Sequence, residues 1–462
     1  MGRCDVSQGR AVPGTRFPVA TTIRDALYDR IPLAEPELAI IGTPDFLRLD
    51  RVQQLGFVSR VWPGAKHTRY EHSLGVFHLA RLAVEHLRLT SGGDWITDED
   101  ARTICAAALL HDVGHYPFSH AIEELGPPIE PHERVGSRRV RGGEIAAILR
   151  EHWGVDPDRV AAIIDPRSGE LTPADRILRG LLSGPLDVDK LDYLPRDARA
   201  CNVPYGGVDT ARLIDALQFA QLHEVAGQAD GAAGEDWHTL RIVVGAKGVS
   251  PLHSLINARQ EMFDNVYWHH TNRACMAMLL RAVQEAVRSR AVSPGELTTH
   301  DDASLLARLS GDDMPEPTRR LTSALRNRRI HKRAVEVSAR AFELYARLGN
   351  LFFDPEARRQ VEISMAERLT ELTGTDVPPE AILIDIPKPE KWRTDVWVRF
   401  EDPPVGVQDL MPWKDVVGLT DEDFKRYEEH RRLIRIVAAA PYREAVRTHW
   451  EELVYPLLGG AI

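Results

Sequence analysis

An apolar helix that ends in a His-Asp pair is the feature that most constrains this chain. Residues 101–110 (ARTICAAALL) are apolar enough for a buried helix, and the acidic residues at 98–100 suit its N-terminus. Neighbouring helical residues point about 100° apart, so His111 and Asp112 cannot share one outward face, but both can reach one ion at the helix end. A His nitrogen and a carboxylate oxygen suit Fe, Mn, Zn or Mg. The alternative is a buried His that its Asp neighbour satisfies.

Two further segments carry side chains of the same kind. Upstream, KHTRYEHSLG (66–75) places His72 at the start of an apolar helix. Downstream, DVDKLDYLPRD (187–197) crowds acidic and basic groups together, and an Asp, a Tyr and an Asp at four-residue spacing fall on one helical face. A charged stripe alone is usually a solvated surface. Here it completes the order H…HD…D, which favours a metal-binding site.

Helical patterning dominates the chain, so the predicted fold class is mainly α. We expect a flexible N-terminus (1–20), a helical core (21–308) and a smaller C-terminal α+β lobe (318–462). A linker is expected over 309–317, and a long helical tract over 251–290 inside the core. Strand-like runs are predicted at three places, which are 239–244, 381–386 and 396–400.

The composition excludes several classes of protein. The chain of 462 residues has 43% hydrophobic and 27% charged residues, which is ordinary for a folded protein and not for a disordered one. Its apolar runs fall far short of the ~20 residues of a membrane span, and no signal peptide is expected. The four Cys residues form no CxxC pair, which is typical of reduced thiols inside the cell. A cytoplasmic protein with no membrane partner is therefore expected.

The charge balance bears on the binding partners. Lys and Arg total 58 and Asp and Glu total 68, which gives a net charge of −10. A generally acidic surface does not favour long nucleic acids, so nucleic acid is not expected as the main partner. A local basic pocket for a phosphorylated small molecule is compatible with this balance.

The three segments together resemble the motifs of a known family. KHTRYEHSLG, HDVGHYPFSH (111–120) and DVDKLDYLPRD resemble the HD superfamily of metal-dependent phosphohydrolases. Within it they resemble the deoxynucleoside triphosphate triphosphohydrolases, which include the bacterial dGTPase-like enzymes. The resemblance extends over nearly the whole chain. It implies an HD-type helical core and hydrolysis of a deoxynucleoside triphosphate (dNTP) to a deoxynucleoside and inorganic triphosphate. It also implies a divalent metal cofactor (Fe, Mn, Zn or Mg) and a homo-oligomer.

The resemblance also implies roles for individual residues. The implied metal ligands are His72, His111, Asp112 and Asp189. Asp187 is a weaker alternative, because it can instead cap the helix. The implied catalytic residues, which contact the α-phosphate or carry protons, are His115, His120 and His132. Glu123 follows His120 by one helical turn, where the family often has an Asp; it can orient His120 or be a simple surface residue. The implied substrate-binding residues are Gln54, Leu55, Arg69, Lys190, Tyr193, Asp197, Arg259 and Tyr267.

These substrate-binding residues divide by the part of the dNTP that they meet. Four match positions that hold the triphosphate, where Arg offers a planar fork and Lys a point charge; they are Arg69, Lys190, Arg259 and Tyr267. Gln54 and Leu55 match the segment that meets the deoxyribose. Tyr193 matches the Tyr that stacks under the sugar and disfavours a 2′-hydroxyl, and Asp197 matches the acceptor of the 3′-hydroxyl.

The sequence also departs from the family pattern. Phe263 stands where animal members have a His near the base, and Pro195 interrupts a predicted helix. Animal members read an activating guanine nucleotide with an Asp, a Gln and an Arg. The matching positions here are Gly42, Leu47 and Asp50. Guanine-specific activation is therefore not expected.

Two other functions fit parts of the pattern. An HD phosphohydrolase that acts on another phosphate ester, such as a nucleoside monophosphate or a cyclic dinucleotide, shares the metal site. It does not need Lys190, Arg259 and Tyr267 together. A non-catalytic nucleotide sensor or single-strand nucleic-acid binder fits the same fold, but the intact ligand set and the acidic charge argue against it.

Overall fold

Helices form most of the computed structural model, which describes residues 12–222, 239–388, 395–424, 426 and 432–458. In chain order, the α-helices of the described residues include α1 (Glu35–Ile41), α2 (Pro44–Leu47), α3 (Arg69–Leu89), α4 (Asp98–Leu110), α5 (His132–Arg141), α6 (Gly143–Ile148), α7 (Pro157–Ile164), α8 (Pro173–Arg179), α9 (Val188–Cys201), α10 (Thr210–Asp215), α11 (Val249–Met262), α12 (His270–Arg288), α13 (Pro294–Leu297), α14 (Asp302–Arg308), α15 (Glu316–Arg326), α16 (Phe342–Asn350), α17 (Pro355–Thr373) and α18 (Trp413–Val416). Two short helices, Arg443–Thr448 and Trp450–Val454, follow.

Three packed helices form the core that carries the site. α3 packs against both α4 and α9. Thr97 caps α4: its hydroxyl accepts from the backbone N–H of Asp100, whose carboxylate accepts from the backbone N–H of Thr97. The apolar residues of α4 are buried, and each buried Leu contributes roughly 1.5–3 kcal/mol to stability. Burial of the whole helix carries its C-terminus, with the His-Asp pair, into the core.

The strands form three small sheets. A hairpin pairs β1 (Thr21–Asp25) with β2 (Asp29–Leu33) in antiparallel register. A four-stranded sheet has the order β3-β4-β7-β8, with bounds Leu217–Leu222, Thr239–Gly245, Trp397–Arg399 and Leu410–Pro412. A three-stranded sheet has the order β5-β9-β6, with bounds Lys332–Ser338, Leu433–Ala438 and Ile382–Asp385.

This architecture confirms the mainly α fold class and the three predicted strands, which coincide with β4, β6 and β7. The helical tract predicted over 251–290 is interrupted. α11 passes into a π-helical segment, Phe263–Tyr267, and α12 begins only at His270. The apolar pattern continues through the break, so periodicity alone did not reveal it. Within the described residues, no helix combines the length and apolar character that crossing a membrane requires.

The observed contacts at the two ends of the helical core differ from the domain boundaries expected from the sequence. Residues 1–11 lie outside the described residues, but 12–20, expected to be flexible, are packed: Val12 is buried and the Phe17 ring meets the edge of Trp153. β7 from the expected C-terminal lobe pairs in parallel with β4 of the core. Strand pairing between distant segments thus joins the two regions that the sequence suggested were separate.

Candidate active site

The four candidate metal ligands converge where three helices begin or end. His72 lies in the first turn of α3, Asp189 in the first turn of α9, and the His-Asp pair directly after α4. His72 Nε2 lies 2.9 Å from Asp189 Oδ1 and 3.8 Å from Asp112 Oδ2. His111 Nε2 lies 3.3 Å from Asp112 Oδ1 and 3.9 Å from Asp189 Oδ1. One ligand atom from each of His72, His111 and Asp189 lies within 4.8 Å of the others, and Asp112 lies beside them. Such a donor set suits a divalent transition metal.

Each candidate His ligand is held through its other ring nitrogen. His72 Nδ1 donates to Asp192 Oδ2 (2.8 Å), and His111 Nδ1 donates to the carbonyl oxygen of Ala108 (2.8 Å). Because a carboxylate and a carbonyl only accept, these contacts keep a proton on Nδ1 and leave Nε2 for a cation. His111 Nε2 is buried and has no hydrogen-bond partner among the described residues. These residues therefore fit a divalent cation.

The electrostatics of the four groups also favour positive charge. Burial disfavours a charged His72, but hydrogen bonds to Asp189 and Asp192 outweigh it and raise the pKa of His72 to about 10. Burial likewise opposes ionisation of Asp189, yet the hydrogen bond from His72 lowers the pKa of Asp189 to about 2. Against burial, Arg69 holds the pKa of Asp112 well below its usual value. Cation binding therefore displaces the His72 proton from a pocket of ionised carboxylates.

Arg69 ties the metal site to the neighbouring loop. Its Nη1 lies 2.5 Å from Asp112 Oδ2 and its Nε donates to Ser119 Oγ (2.9 Å). The Ser119 hydroxyl in turn donates to the carbonyl oxygen of Gln53 (2.8 Å). A buried guanidinium beside a ligand carboxylate fixes that carboxylate and places a cation next to any bound phosphate.

A histidine cluster, composed of His115, His120 and His132 around Glu123, lies beside the metal site. Glu123 accepts from His132 Nδ1 (2.8 Å) and from His120 Nδ1 (3.2 Å). The His115 ring stacks on His132 with centroids 3.7 Å apart and 16° between the planes. Stacked rings direct their lone pairs along parallel in-plane directions, so these two cannot both coordinate one ion. The cluster suits proton transfer and phosphate contacts better than a second metal.

The members of the histidine cluster differ in charge. Burial disfavours the charged form of His132, but the Glu123 carboxylate outweighs burial and raises the pKa of His132. Burial also opposes ionisation of Glu123, yet His132 and His120 hold its pKa well below the usual value. Burial and the charge of Arg69 together hold the pKa of His115 well below its ordinary value. The two stacked imidazoles therefore differ, because the surroundings favour a proton on His132 and disfavour one on His115.

A cavity of about 1140 Å³ joins these groups to the predicted substrate-binding residues. The candidate ligand Asp189 lines it, as do His120 and Glu123 of the histidine cluster. All eight predicted substrate-binding residues line the same cavity: Gln54, Leu55, Arg69, Lys190, Tyr193, Asp197, Arg259 and Tyr267. The fold therefore brings the eight predicted substrate-binding residues to one cavity with Asp189, His120 and Glu123.

Asp187 lies at the N-cap of α9 and not among the converging ligands. Its Oδ1 accepts from the backbone N–H of Lys190 (2.8 Å), and its Oδ2 accepts from the backbone N–H of Gly184 (3.0 Å). Lys190 Nζ donates to Asp187 Oδ2 (2.6 Å) and to the carbonyl oxygen of Gly184 (2.9 Å). These two contacts use two of the three N–H donors of the Lys190 ammonium group, and the third remains for a phosphate oxygen.

Two functional residues were missed by the sequence reasoning. Asp192 is the partner of His72 described above, and His67 Nε2 lies 2.7 Å from Asp197 Oδ1. The second oxygen of Asp197 accepts from the Tyr267 hydroxyl (2.7 Å). His67 stands in the same short segment as His72, and Asp192 follows Asp189 by one helical turn. Those spacings were the available signal, but the partners that give both residues a role come from distant segments.

Part of the cavity wall is aromatic. Phe263 stacks on Trp268 with centroids 5.6 Å apart and 8° between the planes. The guanidinium of Arg273 lies 4.2 Å from the centroid of the Trp268 ring, and Glu124 holds its Nη1 (2.9 Å). Phe263, which replaces a His of the animal pattern, is thus part of an aromatic wall.

Comparison with protein families places this site in a class. Residues 69–197 match the HD domain, and residues 208–403 match the HD associated region. The chain therefore contains an HD domain followed by an HD associated region. The matched HD segment contains all four candidate metal ligands and the whole histidine cluster, whereas the associated region contributes Arg259 and Tyr267.

Individual relatives support the same placement. The uncharacterized protein MJ1154 of Methanocaldococcus jannaschii is 30% identical over 286 residues, which is 62% of this chain and 54% of that protein. The deoxynucleoside triphosphate triphosphohydrolase SAMHD1 homolog of Dictyostelium discoideum is 28% identical over 328 residues, 68% of this chain and 60% of that protein. Human SAMHD1, of the same description, is 28% identical over 293 residues, 57% of this chain and 44% of that protein. The chain spans about half the length of the curated relatives it matches.

A solved structure shares the fold. The crystal structure of a hypothetical protein from Aquifex aeolicus superposes with a TM-score of 0.67 and 24% sequence identity, over 93% of this chain and 99% of that one. At that identity the likeness concerns the fold alone.

Proposed function

We propose that this chain is a metal-dependent phosphohydrolase that converts a dNTP to a deoxynucleoside and inorganic triphosphate. The observation that supports it is a cavity that the candidate ligand Asp189, His120 and Glu123 of the histidine cluster, and all eight substrate-binding residues line together. Two relatives described as dNTP triphosphohydrolases match more than half of the chain. The metal identity, a cytoplasmic location and a homo-oligomeric state remain predictions.

The proposed reaction consumes one water. The water oxygen forms a bond to the α-phosphorus, the bond from that phosphorus to the 5′-oxygen breaks, and the 5′-oxygen receives a proton. A bound divalent cation lowers the pKa of its water and polarises a phosphoryl oxygen. Arg69, fixed against Asp112, offsets negative charge on the phosphates.

The histidine cluster supplies the proton in this scheme. Glu123 raises the pKa of His132 and so favours the protonated form, from which a proton can pass to the leaving 5′-oxygen. His120, which Glu123 also binds, is the second candidate donor. His115 is buried and its pKa is held well below the ordinary value, which favours the neutral ring. Its Nε2 lies 3.2 Å from Asp112 Oδ1, and its Nδ1 has no hydrogen-bond partner among the described residues, so His115 is suited to contact an α-phosphate oxygen.

The remaining lining residues orient the nucleotide. Asp197 accepts the 3′-hydroxyl while His67 holds its carboxylate. Tyr193 packs under the deoxyribose and disfavours a 2′-hydroxyl, and Gln54 and Leu55 meet the same sugar. Lys190, Arg259 and Tyr267 bind the triphosphate tail. Lys190 has a third ammonium donor for a phosphate oxygen, whereas Tyr267 must exchange its hydrogen bond to Asp197 for one to the phosphate.

The identity of the released phosphate tests the proposal. We incubate the purified protein with Mn²⁺ and each dNTP, singly and mixed, and follow the products by phosphorus NMR. Inorganic triphosphate together with a deoxynucleoside is the expected result. Pyrophosphate together with a nucleoside monophosphate would reject departure of the 5′-oxygen. Turnover of a nucleoside monophosphate or cyclic dinucleotide in place of every dNTP would favour a different phosphate ester as substrate.

A further inference from the structure

The N-terminal hairpin (β1 and β2, residues 21–33) reaches the metal centre through a buried hydrogen-bond network. We propose that this hairpin is a positioning element of the metal centre, in which Tyr28 acts on His72 through Asp192. The inference rests on the metal site proposed above and not on the identity of the substrate. It assigns a role to a segment that lies outside the HD domain match, which begins at residue 69.

Asp192 is the node of the network. Its Oδ2 accepts from His72 Nδ1 (2.8 Å) and from Arg196 Nε (2.9 Å). Its Oδ1 accepts from the Tyr28 hydroxyl (2.8 Å) and from Arg196 Nη2 (2.9 Å). The Asp192 side chain is fully buried, so these donors replace the water that would otherwise solvate the carboxylate. Removal of any of these hydrogen-bond donors therefore changes how firmly the Asp192 carboxylate holds the His72 ring.

Asp25 locks the turn of the hairpin to the same node. Its Oδ1 accepts from the backbone N–H groups of Leu27 (2.7 Å) and Tyr28 (3.0 Å), which shapes the turn. Its Oδ2 accepts from Arg196 Nη1 (2.8 Å). The hairpin therefore contacts the node twice, once directly through Tyr28 and once through Arg196.

Gly75 shows how closely the node is fitted against α3. A Cβ atom on Gly75 would lie 1.9 Å from Asp192 Oδ1 and 2.5 Å from Arg196 Nη2, so any side chain there would displace both groups. Gly75 lies one helical turn after His72. The absence of a side chain at this position lets the carboxylate lie against the helix that carries the ligand.

The physical consequence is a coupling between hairpin docking and metal affinity. A carboxylate that binds the Nδ1 proton fixes the orientation and tautomer of a ligand His, and loss of such a partner typically costs 10–100-fold in metal affinity. Tyr28 is one contact further away, so its hydroxyl should contribute at the low end of that range. Linkage requires the reverse effect too: cation binding must stabilise the docked hairpin.

The test compares Tyr28→Phe with Tyr442→Phe. Tyr442 is a matched control, because it is also half-buried and its hydroxyl also donates one hydrogen bond, to the carbonyl oxygen of Asp376 (3.1 Å), in the C-terminal region. Mn²⁺ affinity is measured from the electron paramagnetic resonance signal of free Mn²⁺. We expect about ten-fold weaker binding for Tyr28→Phe, about 10–100-fold for Asp192→Asn, and no change for the control.

A second readout separates positioning from simple structural support. Melting temperatures of Tyr28→Phe are recorded with and without Mn²⁺. A positioning role reduces the increase that Mn²⁺ produces, whereas a purely structural role lowers both melting temperatures equally and leaves the affinity unchanged, which would overturn the inference. Absence of Mn²⁺ binding to the wild-type chain would contradict the metal centre itself and, with it, the positioning role.

Hydrogen exchange on the wild-type chain keeps the inference testable if the variants fail to fold. Amide exchange of residues 21–33 is measured with and without Mn²⁺. Slower exchange in the hairpin on Mn²⁺ addition is expected from the linkage. Exchange in the hairpin that does not respond to Mn²⁺, in a chain that binds the ion, would overturn the coupling.

Discussion

The metal centre and the segment 42–51 are neighbours in space, but their side chains are arranged in opposite ways. At the metal centre, each candidate His ligand is held by a second, buried hydrogen bond. In the segment, the side chains that match the guanine-reading positions of animal relatives are missing or exposed: Gly42 has none, and Leu47 and Asp50 face solvent. Inward-pointing Arg48 nevertheless donates to the carbonyl oxygens of Val113 (3.2 Å) and His115 (2.7 Å).

This difference separates support of the catalytic loop from recognition of an effector. Arg48 carries the supporting contacts, and they do not depend on the three exposed positions. The segment can therefore keep its structural task while its surface side chains change. We therefore expect substitutions at the metal centre to change turnover strongly, and a guanine nucleotide added as an activator not to change it.

The largest effect is expected from Asp112→Ala. This change removes one candidate ligand and leaves the buried guanidinium of Arg69 without its partner, so bound metal and activity should be lost together. Loss of metal activation of water should lower kcat by at least roughly 10³-fold. Metal content by elemental analysis and turnover of a dNTP check this prediction, with the exposed Asp158→Ala as control. Asp112→Asn, which keeps the shape, serves if the Ala variant does not fold. Full activity with retained metal would contradict the ligand assignment.

The sequence places the candidate ligands in short segments. His111 and Asp112 are adjacent, and His72 and Asp189 stand in motifs that resemble those of the HD superfamily, so the resemblance was sufficient to select them. The roles of His67 and Asp192 could not be predicted, because each depends on a partner more than a hundred residues away. The same limit applies to β7, whose pairing with β4 is a long-range contact that no local pattern encodes.

A smaller effect is expected from Glu123→Gln, which alters the histidine cluster without touching the candidate ligands. Glu123 raises the pKa of His132, so the protonated form persists to higher pH. Removing the carboxylate lowers the pKa of His132. His132 then loses its proton, and its role as proton donor, at a lower pH than in the wild-type chain. We expect kcat to fall by about 10²-fold, with the alkaline limb of its pH profile moved to lower pH and metal content unchanged. The control is Glu130→Gln, which affects an exposed pair with Arg138. An unshifted alkaline limb would exclude His132 as the proton donor.

The smallest effect is expected from guanosine triphosphate (GTP) as an activator. Leu47 offers no hydrogen bond to a guanine edge and Gly42 has no side chain, and each unpaired polar group that becomes buried costs about 1–3 kcal/mol. Asp50 adds a negative charge where a cation would be needed beside a phosphate. Together these changes should weaken such a site by roughly two to four decades at 1.4 kcal/mol per decade.

Turnover of dATP, dCTP and dTTP with and without micromolar GTP measures this effect. We expect either activity without any activator or activation by a different nucleotide that binds through other residues. Because Arg48 supports the loop of His115 from the same segment, Arg48→Ala should reduce basal turnover, whereas Leu47→Ala should not. Equal losses of turnover in the two variants would contradict the division of this segment into a buried supporting residue, Arg48, and exposed positions such as Leu47. Strict dependence of all turnover on GTP would show that positions 42, 47 and 50 still form an effector site, and the contrast with the metal centre would then fail.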